Sequence, residues 1–435
     1  MINYRRGVCP TLREPLLSGD GFLARWTPHQ ALPIETFCGV CDLGERLGSG
    51  VLEVTQRGSI QLRGLRSADP LIGEIRQLTA AQEQPPVLTP PLLEETPTAR
   101  TCVGRVLGEI LALLADWSRS RELNPKVSIA LDCDTPVHLD RLRSDIRLFC
   151  SSEAVHLALA GDSLTAAHVG WMTPTGVTRA LEHLLTLLVE GGADTRARDL
   201  VSGNAVHALR TSAASWLLAE DVLSDRGHPE SIQMFPLSDG TIARGFGLAF
   251  GFGPAAELRA FARSAAQLGA RAIRPSADRT LMVIGLPAPA DRPLIAAANA
   301  AGLVTSPKDP RRYVIACAGA PVCRSAYLPT RELASRFANA ARSLLKADSP
   351  IHLSGCPKGC AHSGAAPLTF TGPDALIIAG VAADPPVRRV SPESLIQELQ
   401  HLNHCCEAAA ELPAAGNPYE ALRSNALTPA ASSGA

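Results

Sequence analysis

The feature that most restricts the fold is a sequence unit that occurs twice. Residues near 20 read GDGFLARW, and residues near 239 read SDGTIARG. The echo runs on through IETFCGVCDLGERLGSGVLEVTQRGSIQLRGL to Leu65 and through AAELRAFARSAAQLGARAIRPSADRTLMVIGL to Leu286. Asp20-Gly21 answers Asp239-Gly240 and Gly64 answers Gly285, so the copies differ little in length. In the second copy Leu258, Phe261, Ala262, Ala265 and Leu268 recur at helical spacing and Gly269 follows as a stop, while Ile273 and TLMVIGL read as strands. Each copy is therefore expected to be a strand, a helix and two strands. Such half-domains bury their apolar faces by pairing, here across a pseudo-twofold axis.

The repeat disposes of two tempting motifs. Cys38 and Cys41 form a CxxC, but they fall in the helix of the first copy with no second CxxC, so they read as helix core rather than a redox pair. The glycines of GFGLAFGFG, Gly245 to Gly253, lack GxGxxG spacing and a βαβ setting, so no nucleotide site is visible. Isolated Cys9, Cys102, Cys133 and Cys150 read as small buried apolar groups, and adjacent Cys405 and Cys406 are given no role. A net charge of −1 gives no electrostatic case for binding nucleic acid or membrane. No run approaches the roughly 20 apolar residues of a membrane span, and MINYRRGVCPTLREP lacks a secretory core, so a cytoplasmic location is expected. All but four of the 41 basic residues are arginine; the exceptions are Lys126, Lys308, Lys346 and Lys358.

A longer α/β segment follows each half-domain, and the Pro-rich EQPPVLTPPLLEETP marks the first joint. The expected organisation is half-domains at 1–85 and 230–300, α/β domains at 90–225 and 305–400, and a disordered tail at 411–435. The second α/β segment carries YVIACAGAPVCRSAYLPT and IHLSGCPKGCAHSG. Cys317 and Cys323 thus have five residues between them, and Cys356 and Cys360 have three. Short apolar strands precede both pairs, and the helix TRELASRFANAARSLLK, with Leu333, Phe337, Ala341, Leu344 and Leu345 as its stripe, crosses between them. Four thiolates on Gly- and Pro-rich loops suit an iron-sulfur cluster, whose sulfurs need backbone N–H groups close by. Zinc prefers two to four residues between ligands, and four merely buried cysteines would leave Gly319, Pro321, Gly355, Pro357 and Gly359 unexplained.

The doubled half-domain together with Cys-x5-Cys and Cys-x3-Cys resembles the siroheme sulfite and nitrite reductase superfamily, and within it the precorrin-3B synthase family, over nearly the whole chain. RGVCPTLREPLLSGDG looks like that family's opening, and CAGAPVC and HLSGCPKGCAH look like its cluster loops. The resemblance implies an α+β fold of two ferredoxin-like half-domains and two nitrite/sulfite-reductase-type α/β domains. It implies a 4Fe-4S cluster on Cys317, Cys323, Cys356 and Cys360, and a further non-haem iron. It also implies precorrin-3A and dioxygen as substrates of a monooxygenase that closes a γ-lactone. Its electron donor would be NAD(P)H, directly or through a reductase.

Arginine meets carboxylates with paired hydrogen bonds, and a precorrin carries many carboxylates. Arg57, Arg100, Lys126 and Arg279 are the expected substrate-facing cations, with Arg63 a weaker candidate. LNPKVSIALD resembles the superfamily's lysine loop, but Lys126 is followed by Val127 and Ser128, where the reductases carry a second lysine. That loss, and Lys358 in place of the reductases' Asn, argue against siroheme and against sulfite or nitrite reduction. A non-catalytic iron-sulfur carrier is the other alternative, disfavoured by the bulk of the duplicated domain. Ser276-Ala277-Asp278-Arg279 departs from the family's Thr-Pro-Trp-Arg, and Asp278 would blunt the charge there. His352 and His362 flank the cysteines, their roles open between iron ligand, acid and backbone hydrogen bonding.

Overall fold

The computed structural model describes residues 10–12, 15–67, 73–74, 77, 87–120, 123–124, 126–201, 204–362, 364–408 and 417–423, with only the backbone of 98–102, 116–120 and 205. Two compact units partition the chain. One holds residues 22–247 and 253–307, and the other holds 17–21, 248–252 and 308 onward.

In the first unit, β1 (Gly21–Trp26), α1 (Ile34–Leu47), β2 (Val51–Val54) and β3 (Ile60–Leu65) form the first half-domain. Strand β3 lies between β1 and β2, antiparallel to both. Helix α1 buries Ile34, Phe37, Cys38, Val40, Cys41 and Leu43. Burial pushes both thiols' pKa values up, which suits inert core groups and not a redox pair.

The second half-domain repeats this with β10 (Met234–Pro236), β11 (Ile242–Gly247), α4 (Ala255–Gln267), β12 (Ala272–Ser276) and β13 (Thr280–Leu286). Strand β13 lies between β11 and β12. The halves interlock: Leu32 and Pro33 of the first pair with Ile273 and Ala272 on the edge of β12, and the Ala255 N–H donates to the Gly50 carbonyl. Helices α1 and α4 pack together, and Arg259 of α4 pairs with Asp42 and Glu45 of α1.

Between the halves lies an α/β domain of β4 (Val87–Leu88), α2 (Pro97–Ser120), β5 (Ile129–Cys133), β6 (Ser144–Cys150), β7 (Val155–Gly161), β8 (Ala167–Met172), α3 (Pro174–Glu190) and β9 (Leu217–Ala219). Its sheet runs β9-β8-β7-β6-β5-β4, parallel from β4 to β6 and antiparallel beyond. Fully buried Val103, Val106, Ile110, Leu114, Leu181, Leu184 and Leu188 seat α2 and α3 against it.

The second unit has the same plan in β14 (Val314–Ala316), α6 (Thr330–Ala340), β15 (Ile351–Ser354), β16 (Ala366–Thr371), β17 (Ala375–Gly380), β18 (Arg388–Arg389) and α7 (Pro392–Ala408). Strands β14, β15 and β16 are parallel, and β17 and β18 continue antiparallel. The crossover helix stops at Ala340, earlier than its apolar stripe suggested, yet Ala341, Leu344 and Leu345 stay buried in the turn beyond. The tail expected to be disordered contains an anchor. Tyr419 and Leu422 are fully buried, and the Tyr419 hydroxyl donates to the Ser349 carbonyl at 2.9 Å. A single aromatic with a satisfied hydroxyl outweighs the small polar residues around it. Among the described residues no helix is long and apolar enough to cross a membrane.

Candidate functional site

The four expected ligand cysteines all leave the same end of one parallel strand pair in the second unit. Cys317 follows β14 directly, and Cys356 follows β15 by two residues, because α6 carries the chain back and returns it in the same direction. The loops are tied to each other: the Gly355 N–H donates to Cys317 Sγ at 3.1 Å, and the Tyr327 N–H donates to the Gly355 carbonyl at 2.8 Å. Thr330, the first residue of α6, donates to the Cys317 carbonyl at 2.8 Å. Gly19 stands against Cys323, so that a Cβ there would lie 2.4 Å from the sulfur. Cys317, Cys323 and Cys356 are partly exposed and Cys360 is exposed, unlike the core cysteines 38, 41, 133 and 150.

No three of these sulfurs lie within 4.8 Å of one another. The donor chemistry fits a cluster, since an amide N–H already points at a cysteine sulfur. His352, fully buried on β15, stands edge-on to the His362 ring at 5.6 Å, and Lys358 Nζ donates to Ser325 Oγ at 3.2 Å.

In the first unit two turns related by the repeat meet back to back. The β2–β3 turn carries Arg57, and the β12–β13 turn carries Arg279. Arg57 forms a backbone bridge with Ala277, and the Asp278 N–H donates to the Gln56 carbonyl at 3.0 Å. Gly58 makes the approach possible, because at φ +73° a Cβ there would lie 2.8 Å from the carbonyl carbon of Ser276. Asp278 and Arg279 both take left-handed backbone angles, φ 56° and 59°, an arrangement that costs strain and aims the arginine. Burial lowers the Arg279 pKa, and among the described residues its guanidinium makes no hydrogen bond or ion pair.

Arg57 reaches the lysine loop: Nη1 donates to Ser128 Oγ at 3.4 Å and Nη2 to the Arg143 carbonyl at 3.1 Å. Lys126 is exposed beside it. Val127 and Ser128 are fully buried, and Ser128 donates from both N–H and hydroxyl to Asp145, whose carboxylate Arg196 also grips at 2.6 Å. Ser128 therefore points away from any anion that Lys126 could meet. Arg100 lies in α2, and its side chain is outside the described residues. Arg63 is corrected: only 7% exposed, it pairs with Glu53 within the sheet at 3.4 Å.

One cation escaped the sequence reading. Arg274 on β12 is 4% exposed, its Nη2 donates to Thr89 Oγ1 at 2.7 Å, and burial pushes its pKa down to about 10. The signal was present in the period of the strand, since Ile273 faces the core and the next residue must face away from it.

No family model matches the chain. A precorrin-3B synthase of Sinorhizobium sp is 31% identical over 384 residues, which covers 85% of this chain and 81% of that one. Sulfite reductases (ferredoxin) 1 and 2 of Mycolicibacterium paratuberculosis (strain ATCC BAA-968 / K-10) are 30% and 32% identical over 125 residues, 26% of this chain and 22% of each of theirs. The solved structure of the Mycobacterium tuberculosis NirA protein superposes with a TM-score of 0.68 at 17% identity, covering 93% of this chain and 84% of that one. The last comparison establishes the fold, and the first spans most of both chains: the chain belongs to the precorrin-3B synthase family.

Proposed function

We propose that the protein is an iron-sulfur monooxygenase that hydroxylates precorrin-3A with dioxygen and closes an acetate arm as a γ-lactone. One oxygen atom enters the product and the other leaves as water, with two electrons drawn from an external donor. The observation that carries the reading is the identity of 31% sustained over 85% of the chain with a precorrin-3B synthase, against the quarter of the chain matched by sulfite reductases. Buried Ser128 beside Lys126 supports it, since one exposed lysine is a weak clamp for a small multiply charged anion.

Cys317, Cys323, Cys356 and Cys360 would hold a 4Fe-4S cluster, which supplies one-electron transfer when bound. The Gly355 N–H at Cys317 Sγ would stabilise added negative charge on that ligand. Arg57, Arg100, Lys126 and Arg279 would hold the macrocycle by its carboxylates. Arg57 is held by Ser128 and the Arg143 carbonyl, so its guanidinium loses little freedom when a carboxylate arrives. Visible spectroscopy of anaerobically purified protein, followed by turnover of precorrin-3A under labelled dioxygen, tests the reading. Cluster absorption and one labelled oxygen atom in the product are expected. A siroheme Soret and Q band would sink it in favour of a reductase, and a cluster spectrum without binding or turnover would favour a carrier.

A further inference from the structure

The first unit contains a narrow cleft lined by Thr27, Arg57, Thr89, Leu139, Arg274 and Ser276, with an internal volume of about 10 Å³, room for one water-sized group. Arg274 and Ser276 stand two apart on β12 and so project from the same face. Arg274 Nη1 and Ser276 Oγ are both buried without a hydrogen-bond partner among the described residues. Arg274 forms no ion pair there; Glu94 acts on it only at longer range. A buried guanidinium lacking a counter-ion is costly, and two orphaned donors beside one another add to that cost. Such a set becomes favourable when a carboxylate enters, because its oxygens accept from both donors and supply the missing charge.

The walls give a second reason. The β4–α2 loop carries Thr89 and the loop after β5 carries Leu139, and both lie where the second α/β domain places Cys317 and Cys356. In the second domain these two loop positions carry thiols; in the first they wall the cleft, whose guanidinium and hydroxyl come from β12 of the neighbouring half-domain. A tetrapyrrole ring does not fit the cleft, whose size matches only the oxygen tip of an acid arm.

We propose that this cleft binds one carboxylate arm of the substrate, with Arg274 and Ser276 as its donors and Arg57 at its mouth, a reading that rests on the polycarboxylate macrocycle proposed above. The test uses the full-length, cluster-loaded protein as wild type, Arg274→Gln, Arg274→Lys and Ser276→Ala, with uroporphyrin fluorescence quenching as the binding readout and ligand-free melting as the fold readout. Arg274→Gln should hold or raise the ligand-free melting temperature while weakening uroporphyrin about tenfold or more, with Arg274→Lys recovering part of the affinity. Ser276→Ala should weaken it severalfold. Unchanged affinity in Arg274→Gln overturns the proposal alone. A fall in melting temperature that Arg274→Lys does not repair assigns Arg274 a merely structural role and also overturns it. Phosphate or acetate that protects wild type from heat without competing with uroporphyrin marks a free-anion site, again overturning it. Failure of wild type to bind uroporphyrin and precorrin-3A alike removes the functional reading itself.

Discussion

A thiol's role here follows from where its backbone ends. Cys38 and Cys41 sit mid-helix with raised pKa values, whereas Cys317 and Cys356 sit just past strand ends, and the Gly355 N–H donates to Cys317 Sγ. Cys356→Ser is expected to abolish an intact cluster and activity together, and Cys38→Ser to leave both unchanged. Iron and acid-labile sulfide content with the visible spectrum checks this, and full cluster content in Cys356→Ser would refute the ligand assignment. That the two cysteine loops leave the same end of one strand pair was legible because strand, helix and flanking glycines are local properties of the sequence. The settings of Arg63 and Arg274 were not, because whether a strand arginine faces a partner or a cleft depends on which residues the fold sets beside it. Glu53 answers Arg63 across a hairpin, while nothing near Arg274 in sequence announces Thr89.

At the scale of elements, the two strand-helix-strand-strand copies could be read from period and repeat alone, and their lengths agree with the structure. Their mutual exchange at Leu32–Pro33 and at Ala255 could not, since two residues carry no pattern. The β7–β8 hairpin hides another unannounced feature. His156, 2% exposed, meets His168 at 3.4 Å and stacks edge-on against Trp171. Burial, then the His168 charge, lowers its pKa from 6.5 to about 4. The folded state thus holds His156 neutral where the unfolded chain would take a proton. Stability from this site is complete above pH 6.5 and is lost as pH falls toward 4, by about 3 kcal/mol at most. In urea denaturation the wild-type midpoint should fall relative to that of His156→Leu as pH drops from 7 to 4.5. Parallel curves would show that His156 does not titrate in that window.

Across the molecule, one plan is held in two ways. In the second unit the loops after β14 and β15 carry the cysteines. In the first, the loop after β5 is fastened by Arg226, which bonds Asp132 at 2.6 Å, Asp140 at 2.5 Å and the Cys133 carbonyl at 2.8 Å. Asp132, His138 and Asp140 are close enough to suggest a metal, but the guanidinium already occupies the carboxylates. Against burial, the His138 hydrogen bond and then those of Arg226 hold the Asp140 carboxyl well below the usual range, while full burial pushes Asp132 up, so the pair shares one cation unequally. Metal and ion pair should therefore be separable by perturbation. Chelation under reducing conditions should raise hydrogen exchange in residues 314–371 and leave 129–150 protected. Arg226→Ala should do the reverse, costing about 3–5 kcal/mol at neutral pH because two buried carboxylates lose their partner. Sulfide content should remain about four per chain in Arg226→Ala, as expected for one 4Fe-4S cluster per chain. Equal loss of protection in both segments under chelation would mean that the cluster supports the whole fold rather than its own domain.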